Sequence, residues 1–236
     1  MTTILAIDTA TEACSVALYR QGNISECYEV VPRQHSQRLM PMLRELLGDG
    51  DLRAQGVDAI AYGSGPGSFT GLRIAASAVQ GLAFANNVPA IAVSTLACQA
   101  QTALRLGLIQ SGDTVLSLLD ARINEVYGAV FRLSQGQVQT QEGPFVCKPS
   151  DIVLNKDYKE LRGIGGGCSY LDDFPEALRG AVQGVFADVL PAAQDLIPLA
   201  LEKLMCSDVQ RPEQVLPVYV REEISWKKLA EQGKRK

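Results

Sequence analysis

Ile4-Leu5-Ala6-Ile7-Asp8-Thr9-Ala10-Thr11, followed almost at once by Cys14-Ser15-Val16-Ala17-Leu18-Tyr19, is an apolar run that stops on a carboxylate, then a small polar turn, then a second β-prone run. The pattern predicts strand, turn, strand. Gln21-Gly22-Asn23 is a turn signal, and Ile24 to Val31 can supply a third strand before Pro32. From His35 to Leu47, the positions Leu39, Leu43, Leu46 and Leu47 recur at helical spacing, Gly48 is placed to end the helix, and Pro41 falls early enough to be tolerated. Val57 to Tyr62 then reads as a buried strand, Thr70 to Asn86 as a helix, and Ala90 to Val93 as another strand. The expected order is βββαβαβ.

The same order recurs downstream. Val115 to Asp120 echoes Ile4 to Asp8, Glu125 to Phe131 echoes the second strand, Gly136 echoes Gly22, and Gln137 to Val146 can form the third strand. Gly163, Gly165, Gly166 and Gly167 follow a short strand, as Gly63, Gly65 and Gly67 do in the first half. Two copies of one α/β unit with a cleft between them describe an actin-like duplicated two-lobed fold, the ASKHA or RNase H-like architecture shared by hexokinase and the sugar kinases. The expected division is an N-terminal lobe over residues 1–104, a C-terminal lobe over 105–216 and a basic tail over 217–236.

Composition excludes several classes. The chain has 236 residues, an apolar fraction of 47%, a charged fraction of 20% and a net charge of −4, with a pI near 5.1. That is an ordinary globular balance. A surface of this charge is unsuited to holding a polyanion unaided, so RNA contact is expected only through a partner. The six cysteines are scattered without a CxxC pair, and there is one histidine, so neither a zinc site nor a disulfide framework is expected. The N-terminus lacks a basic segment followed by a long apolar run, and no stretch approaches the ~20 apolar residues of a membrane helix. A cytoplasmic protein is expected.

Asp8, Thr9 and Thr11 lie where an actin-like ATPase carries its first phosphate loop, and Gly165 and Gly166 lie where the second lobe would close over a nucleotide. Ala10, however, replaces the glycine that would let backbone approach a phosphate, so the cleft is read as vestigial. Gly63-Ser64-Gly65-Pro66-Gly67-Ser68-Phe69-Thr70-Gly71-Leu72-Arg73 joins a strand to a helix, with Thr70 as the expected cap and the first amides as a potential anion site. It is not a Walker A loop, because no Gly-Lys-Ser/Thr follows.

That run, with Ile4 to Thr11 ahead and Val93-Ser94-Thr95-Leu96, Asp120-Ala121-Arg122 and Glu125-Val126-Tyr127 behind, resembles the bacterial TsaB (YeaZ) family over almost the whole chain. The resemblance implies a part in making N6-threonylcarbamoyladenosine at position 37 of tRNAs that read codons beginning with A. It implies as partners a TsaD-like catalytic paralogue of the same fold and a TsaE-like ATPase, with a homodimer when the chain is alone. The paralogue's two metal-binding histidines align with Thr95 and Gln99, which are poor ligands for a transition metal. No catalytic residue, metal or cofactor is therefore expected. An autonomous actin-like ATPase or small-molecule kinase is the alternative reading, and a glycoprotease-like peptidase stands behind it, lacking a second histidine or a zinc motif.

The partner surface can be placed on the helix after Thr70, which carries no charge from Ile74 to Ala85. Leu72, Ala75, Val79 and Leu82 are expected to cover the sheet. Arg73, Ser77, Gln80 and Phe84, flanked by Gly81, form the opposite stripe, and His35, Arg38 and Met42 of the first helix are expected beside it. The basic tail around Trp226 is a further candidate contact for tRNA or the ATPase subunit.

Overall fold

The computed structural model describes residues 2–48, 52–134 and 136–221. The expected duplication is realised strand for strand. β1 (Thr3–Asp8), β2 (Ala13–Arg20), β3 (Asn23–Val30), β4 (Ala59–Gly65) and β5 (Ala90–Ser94) form one sheet in the order β3-β2-β1-β4-β5. β6 (Thr114–Arg122), β7 (Glu125–Ser134), β8 (Gln137–Cys147), β9 (Leu161–Ile164) and β10 (Val182–Phe186) form the other in the order β8-β7-β6-β9-β10. In each sheet the first three strands pair antiparallel and the last two add in parallel. This is the actin-like two-lobed α/β fold.

Side-chain alternation sets the layers. Leu5 and Ile7 of β1 and Ile60 and Tyr62 of β4 face one way, into a core closed by α1 (His35–Leu47) and α2 (Phe69–Asn86). Ile4, Ala6, Ala59 and Ala61 face the other way. The helix that covers them comes from the far end of the chain: α5 (Ala193–Met205), through Ala193, Leu196, Ile197 and Ala200. Reciprocally, α3 (Thr95–Arg105), which follows the first sheet, lays Leu96, Ala100 and Ala103 on Val115, Leu119, Ala129 and Phe131 of the second. Each unit's last helix thus packs on the other unit's sheet, and the two helices lie side by side between the sheets. Arg105 of α3 grips Asp195 of α5 through two N–H donors at 2.8 and 2.9 Å. The first sheet also caps the visiting helix: Ala193 N donates to Ser15 Oγ at 2.8 Å, and Gln194 N to Glu26 Oε1 at 3.0 Å. The outer face of the second sheet is closed by two 3₁₀ turns, Pro149–Asp151 and Gly166–Asp173, and by the short α4 (Glu176–Ala181).

The expected division at 104/105 and 216/217 does not follow this packing. Besides α5, residues 209–219 return to the first unit. Gln210 bridges Ala90 at the edge of β5, and Val218 N donates to Ser64 O at 2.7 Å. Tyr62 Oη lies 2.9 Å from Gln210 Oε1 and 3.2 Å from Leu216 O. The first sheet is apolar on both faces and would expose one of them if its own segment had to suffice.

Candidate functional site

The cleft between the units, with a volume of about 1130 Å³, is walled by the β1–β2 turn, the starts of α1 and α2, the β6–β7 hairpin, Gly166 and the returning segment. Thr11 and Gly166 line it, with Ala10 beside them. Asp8, Thr9 and Gly165 do not, which corrects the expectation that they share a nucleotide site. Asp8 and Thr9 are fully buried behind the wall.

The glycine-rich run explains why. A Cβ on Gly63 would land on Asp8 Oδ2, one on Gly67 on the carbonyl of Ala10, and one on Gly71 on the carbonyl of Thr9. The run therefore lies directly on the β1–β2 turn. Thr9 Oγ1 donates to Gly71 O at 2.7 Å, and Ser68 N donates to Ala10 O at 2.7 Å. The hydroxyl expected to meet a phosphate is committed to backbone. The cap of α2 is Ser68, whose Oγ accepts from Gly71 N at 3.3 Å, and not Thr70, which is exposed one residue inside the helix.

Asp8 keeps one bond, from Ala10 N to Oδ1 at 3.0 Å, while Oδ2 has no partner. Burial pushes its carboxyl up to about 7, against the small downward pull of that amide. Thr95, also fully buried with an unpartnered Oγ1, faces the same spot at Gly63. Gln99 is buried too: its Nε2 donates to Val189 O at 2.8 Å and its Oε1 accepts from Ser117 Oγ at 2.6 Å. Its amide fills the space that a side chain at Gly165 would need. α3, β6 and the β10–α5 connection are stapled together there.

Rim charges pair across the cleft. Arg122 reaches Glu12 at 3.4 Å and Asp120 at 3.1 Å, and Arg221 pairs with Glu125 and donates to Ala121 O. The β6–β7 hairpin holds Arg122, Ile123 and Asn124 in left-handed backbone, with Ile123 79% exposed at its tip. All six cysteines are free, and burial holds the thiols of Cys14, Cys98 and Cys168 above their usual range.

On the outer side, α1 and α2 lie next to each other with a groove of about 520 Å³ between them, lined by Ser36, Met40, Phe69, Arg73 and Ser77 among others. Ser77, Gly81 and Phe84 are exposed as expected. Leu72, Ala75 and Val79 are buried, joined by Ala76 and Ala83, while Leu82 is only half-buried. Arg73 and Gln80 are already engaged by the returning segment. Arg73 stacks on Phe69 at 3.9 Å from the ring centroid and donates to Tyr219 Oη at 2.9 Å, and Gln80 donates to Pro212 O at 3.2 Å. Met42 is fully buried in the core and cannot meet a partner, which corrects that assignment. The spacing His35, Leu39, Met42, Leu43, Leu46 already marks Met42 as part of the inward stripe. His35 is buried at the start of α1, 3.2 Å from Ala13 O, and Arg38 donates its Nε to Glu29 at 2.7 Å. The tail around Trp226 lies outside the described residues.

Residues 26–186 match the family model described as TsaD, tRNA N6-adenosine threonylcarbamoyltransferase. The chain is 39% identical to the tRNA threonylcarbamoyladenosine biosynthesis protein TsaB of Escherichia coli K12, over 96% of this chain and 97% of that protein. The chain belongs to the TsaB (YeaZ) family. The TsaB of Haemophilus influenzae is 35% identical over the same shares of the two chains. The solved structure of YeaZ from Pseudomonas aeruginosa superposes with a TM-score of 0.82 at 42% identity, covering 93% of this chain and all of that one. Within this TsaB-like chain, none of the helices among the described residues is long and apolar enough to cross a membrane.

Proposed function

We propose that the chain is a non-catalytic subunit in the threonylcarbamoylation of adenosine 37 of tRNAs reading codons that begin with A, and that it acts in the cytoplasm by docking a TsaD-like catalytic paralogue. The observation that carries this reading is what the family's chemical positions do here. Thr95 and Gln99 are fully buried, with Gln99 spent on a staple between the units, and Asp8 and Thr9 are sealed under the glycine-rich run. Side chains in that state hold a scaffold together and touch no substrate. Relatives named for threonylcarbamoyladenosine biosynthesis at 35–39% identity support the pathway.

The docking face is the α1–α2 pair. Ser77, Gly81 and Phe84, the last 77% exposed, form a shallow stripe where small residues admit another helix closely. A homodimer uses the same face when the chain is alone, so the two assemblies exclude each other. A TsaE-like ATPase joins the larger complex, and tRNA is met through the catalytic subunit. Purified with the TsaD-like paralogue from the same cell, the chain should restore tRNA modification that the paralogue alone does not perform. Ser77→Arg should leave a folded monomer that neither dimerises nor binds the paralogue, read by sedimentation and by the modification assay. A variant still dimeric and still active would place the interface elsewhere. ATP turnover by the chain alone that Asp8→Ala abolishes would overturn the scaffold reading.

A further inference from the structure

Where the end of α3 meets the start of α5, the two sheets leave a second hollow of about 680 Å³ that the docking role does not use. β3 supplies Glu26 and Tyr28 to it, β10 supplies Val185 and Phe186, and the end of α3 and the connection into α5 close the rest. It shares Leu190 with the cleft and no other lining residue. Cys27 of β3 packs into the core under α1, so strand alternation turns Glu26 to the opposite, α5 side of the first sheet. The hollow therefore lies away from the α1–α2 face.

Most of its wall is apolar. Leu106, Leu108, Val185, Phe186 and Leu190 line it, and Leu106, Val185 and Tyr28 are each more than a third exposed. Large apolar side chains left to water around one concave opening mark a place for a ligand.

The charges around the hollow do not balance. Arg105 is the one basic side chain of its lining, and it is spent on Asp195, which is only 3% exposed. Glu26 and Asp188 line the hollow as well, and neither forms an ion pair with a basic side chain among the described residues. The last turn of α3 adds the negative end of its dipole, while the positive end of α5 is already answered by Glu26, which accepts from Gln194 N and Gln194 Nε2. Burial holds the Glu26 carboxyl above its usual range, and Asp195 adds to that push against the pull of the Gln194 amide. A cation beside Glu26 would offset both.

We propose that this hollow binds a free organic amine, one ammonium group on an aromatic or branched apolar body. Glu26 holds the ammonium, Asp188 adds its field, and the body rests against Leu106, Val185 and Phe186. The volume lies within the about 300–1,000 Å³ typical of small-molecule sites. A neutral analogue gains only the apolar contact, and an anionic one faces two unanswered carboxylates. Because β3 belongs to one sheet and β10 to the other, a bound amine touches both units and should raise the melting temperature of the whole chain.

Calorimetric titration of the full-length protein with tryptamine, tryptophol and indole-3-propionate tests the proposal, since the three share one ring system and differ in charge. Tryptamine should bind at one site, tryptophol about tenfold or more weakly, and indole-3-propionate not at all. Glu26→Gln keeps an acceptor for Gln194 N and should weaken tryptamine by about tenfold or more. Leu106→Lys places a competing cation on the lining at the C-terminal end of α3, where a positive charge favours the helix. Its fold should persist while tryptamine affinity falls to a similar degree, and it decides the matter should Glu26→Gln fail to fold. No tryptamine binding at millimolar concentration, equal affinity for tryptophol or indole-3-propionate, or unchanged tryptamine affinity in either folded variant would overturn the proposal.

Discussion

Asp8 is the residue whose environment is most at odds with its chemistry. It is a carboxyl in a sealed core with one oxygen unpartnered and its ionisation pushed up to about 7 by burial. Unfolded, it ionises near 3.8. The folded state therefore prefers the neutral form, so the stability linked to Asp8 is fully present below pH ~4 and is lost as pH rises to ~7, about 4 kcal/mol at most. Denaturant titrations across that window should show Asp8→Asn flattening the decline and raising stability above pH 7. Wild-type stability rising with pH relative to the Asn variant would contradict the assignment. The neighbouring glycine supplies a second test. Gly63→Ala sets a methyl group onto the Asp8 carboxylate and should cost about 1–3 kcal/mol by overpacking. Asp8→Ala removes the obstacle, so the double variant should be more stable than the sum of the singles predicts. Additive losses would show that the two positions do not touch.

At the scale of elements, the surface of α2 is defined as much by the segment lying on it as by its own sequence. Tyr62 is the anchor. Its ring is buried in the first core while its hydroxyl meets Gln210 and Leu216 of the returning segment. Tyr62→Phe should cost about 1 kcal/mol in global stability. It should also loosen residues 209–221 selectively, seen as faster limited proteolysis or hydrogen exchange there. Uniform loosening of the whole chain would count against this anchor. Helix and strand identities were legible because apolar periodicity reports them directly: α1 begins and ends where the spacing His35 to Leu47 places it. What covers the exposed side of α2 was not legible. Gln210, Pro212 and Tyr219 act through a few scattered hydrogen bonds from an irregular segment whose one regular piece is the 3₁₀ turn Pro212–Gln214, and such a segment has no periodicity to betray it. The cap of α2 is Ser68 and not Thr70 for a related reason, since both are good capping residues and only the seating of the run on Thr9 and Ala10 decides between them.

At the scale of the molecule, the exchange of α3 and α5 makes the two units one cooperative body. A fragment of residues 1–104 leaves Ile4, Ala6, Ala17, Ala59 and Ile91 without α5, and leaves the sheet-facing side of α3 bare. That fragment should be unfolded or aggregated by circular dichroism and light scattering, whereas the whole chain should melt in one transition. A soluble, cooperatively folding fragment would refute the interdependence. The duplication was readable, because Val115 to Asp120 repeats the apolar-to-carboxylate pattern of Ile4 to Asp8. The exchange was not, because an amphipathic helix carries the same apolar stripe whichever sheet receives it. For the same reason the cleft residues were only partly legible: Thr11 and Gly166 reach it, while the burial of Asp8, Thr9 and Gly165 depends on loops packing against each other.

The exchange also bears on how the chain is made. The ribosome emits the first sheet's strands by residue 94, but the helix that shields their inner face begins at residue 193. At about 5–20 residues per second, that apolar face waits roughly 5–20 s for its cover. During synthesis the nascent chain thus carries an uncovered apolar face, and a translational pause between β5 and α5 would lengthen the interval in which it can be lost to aggregation.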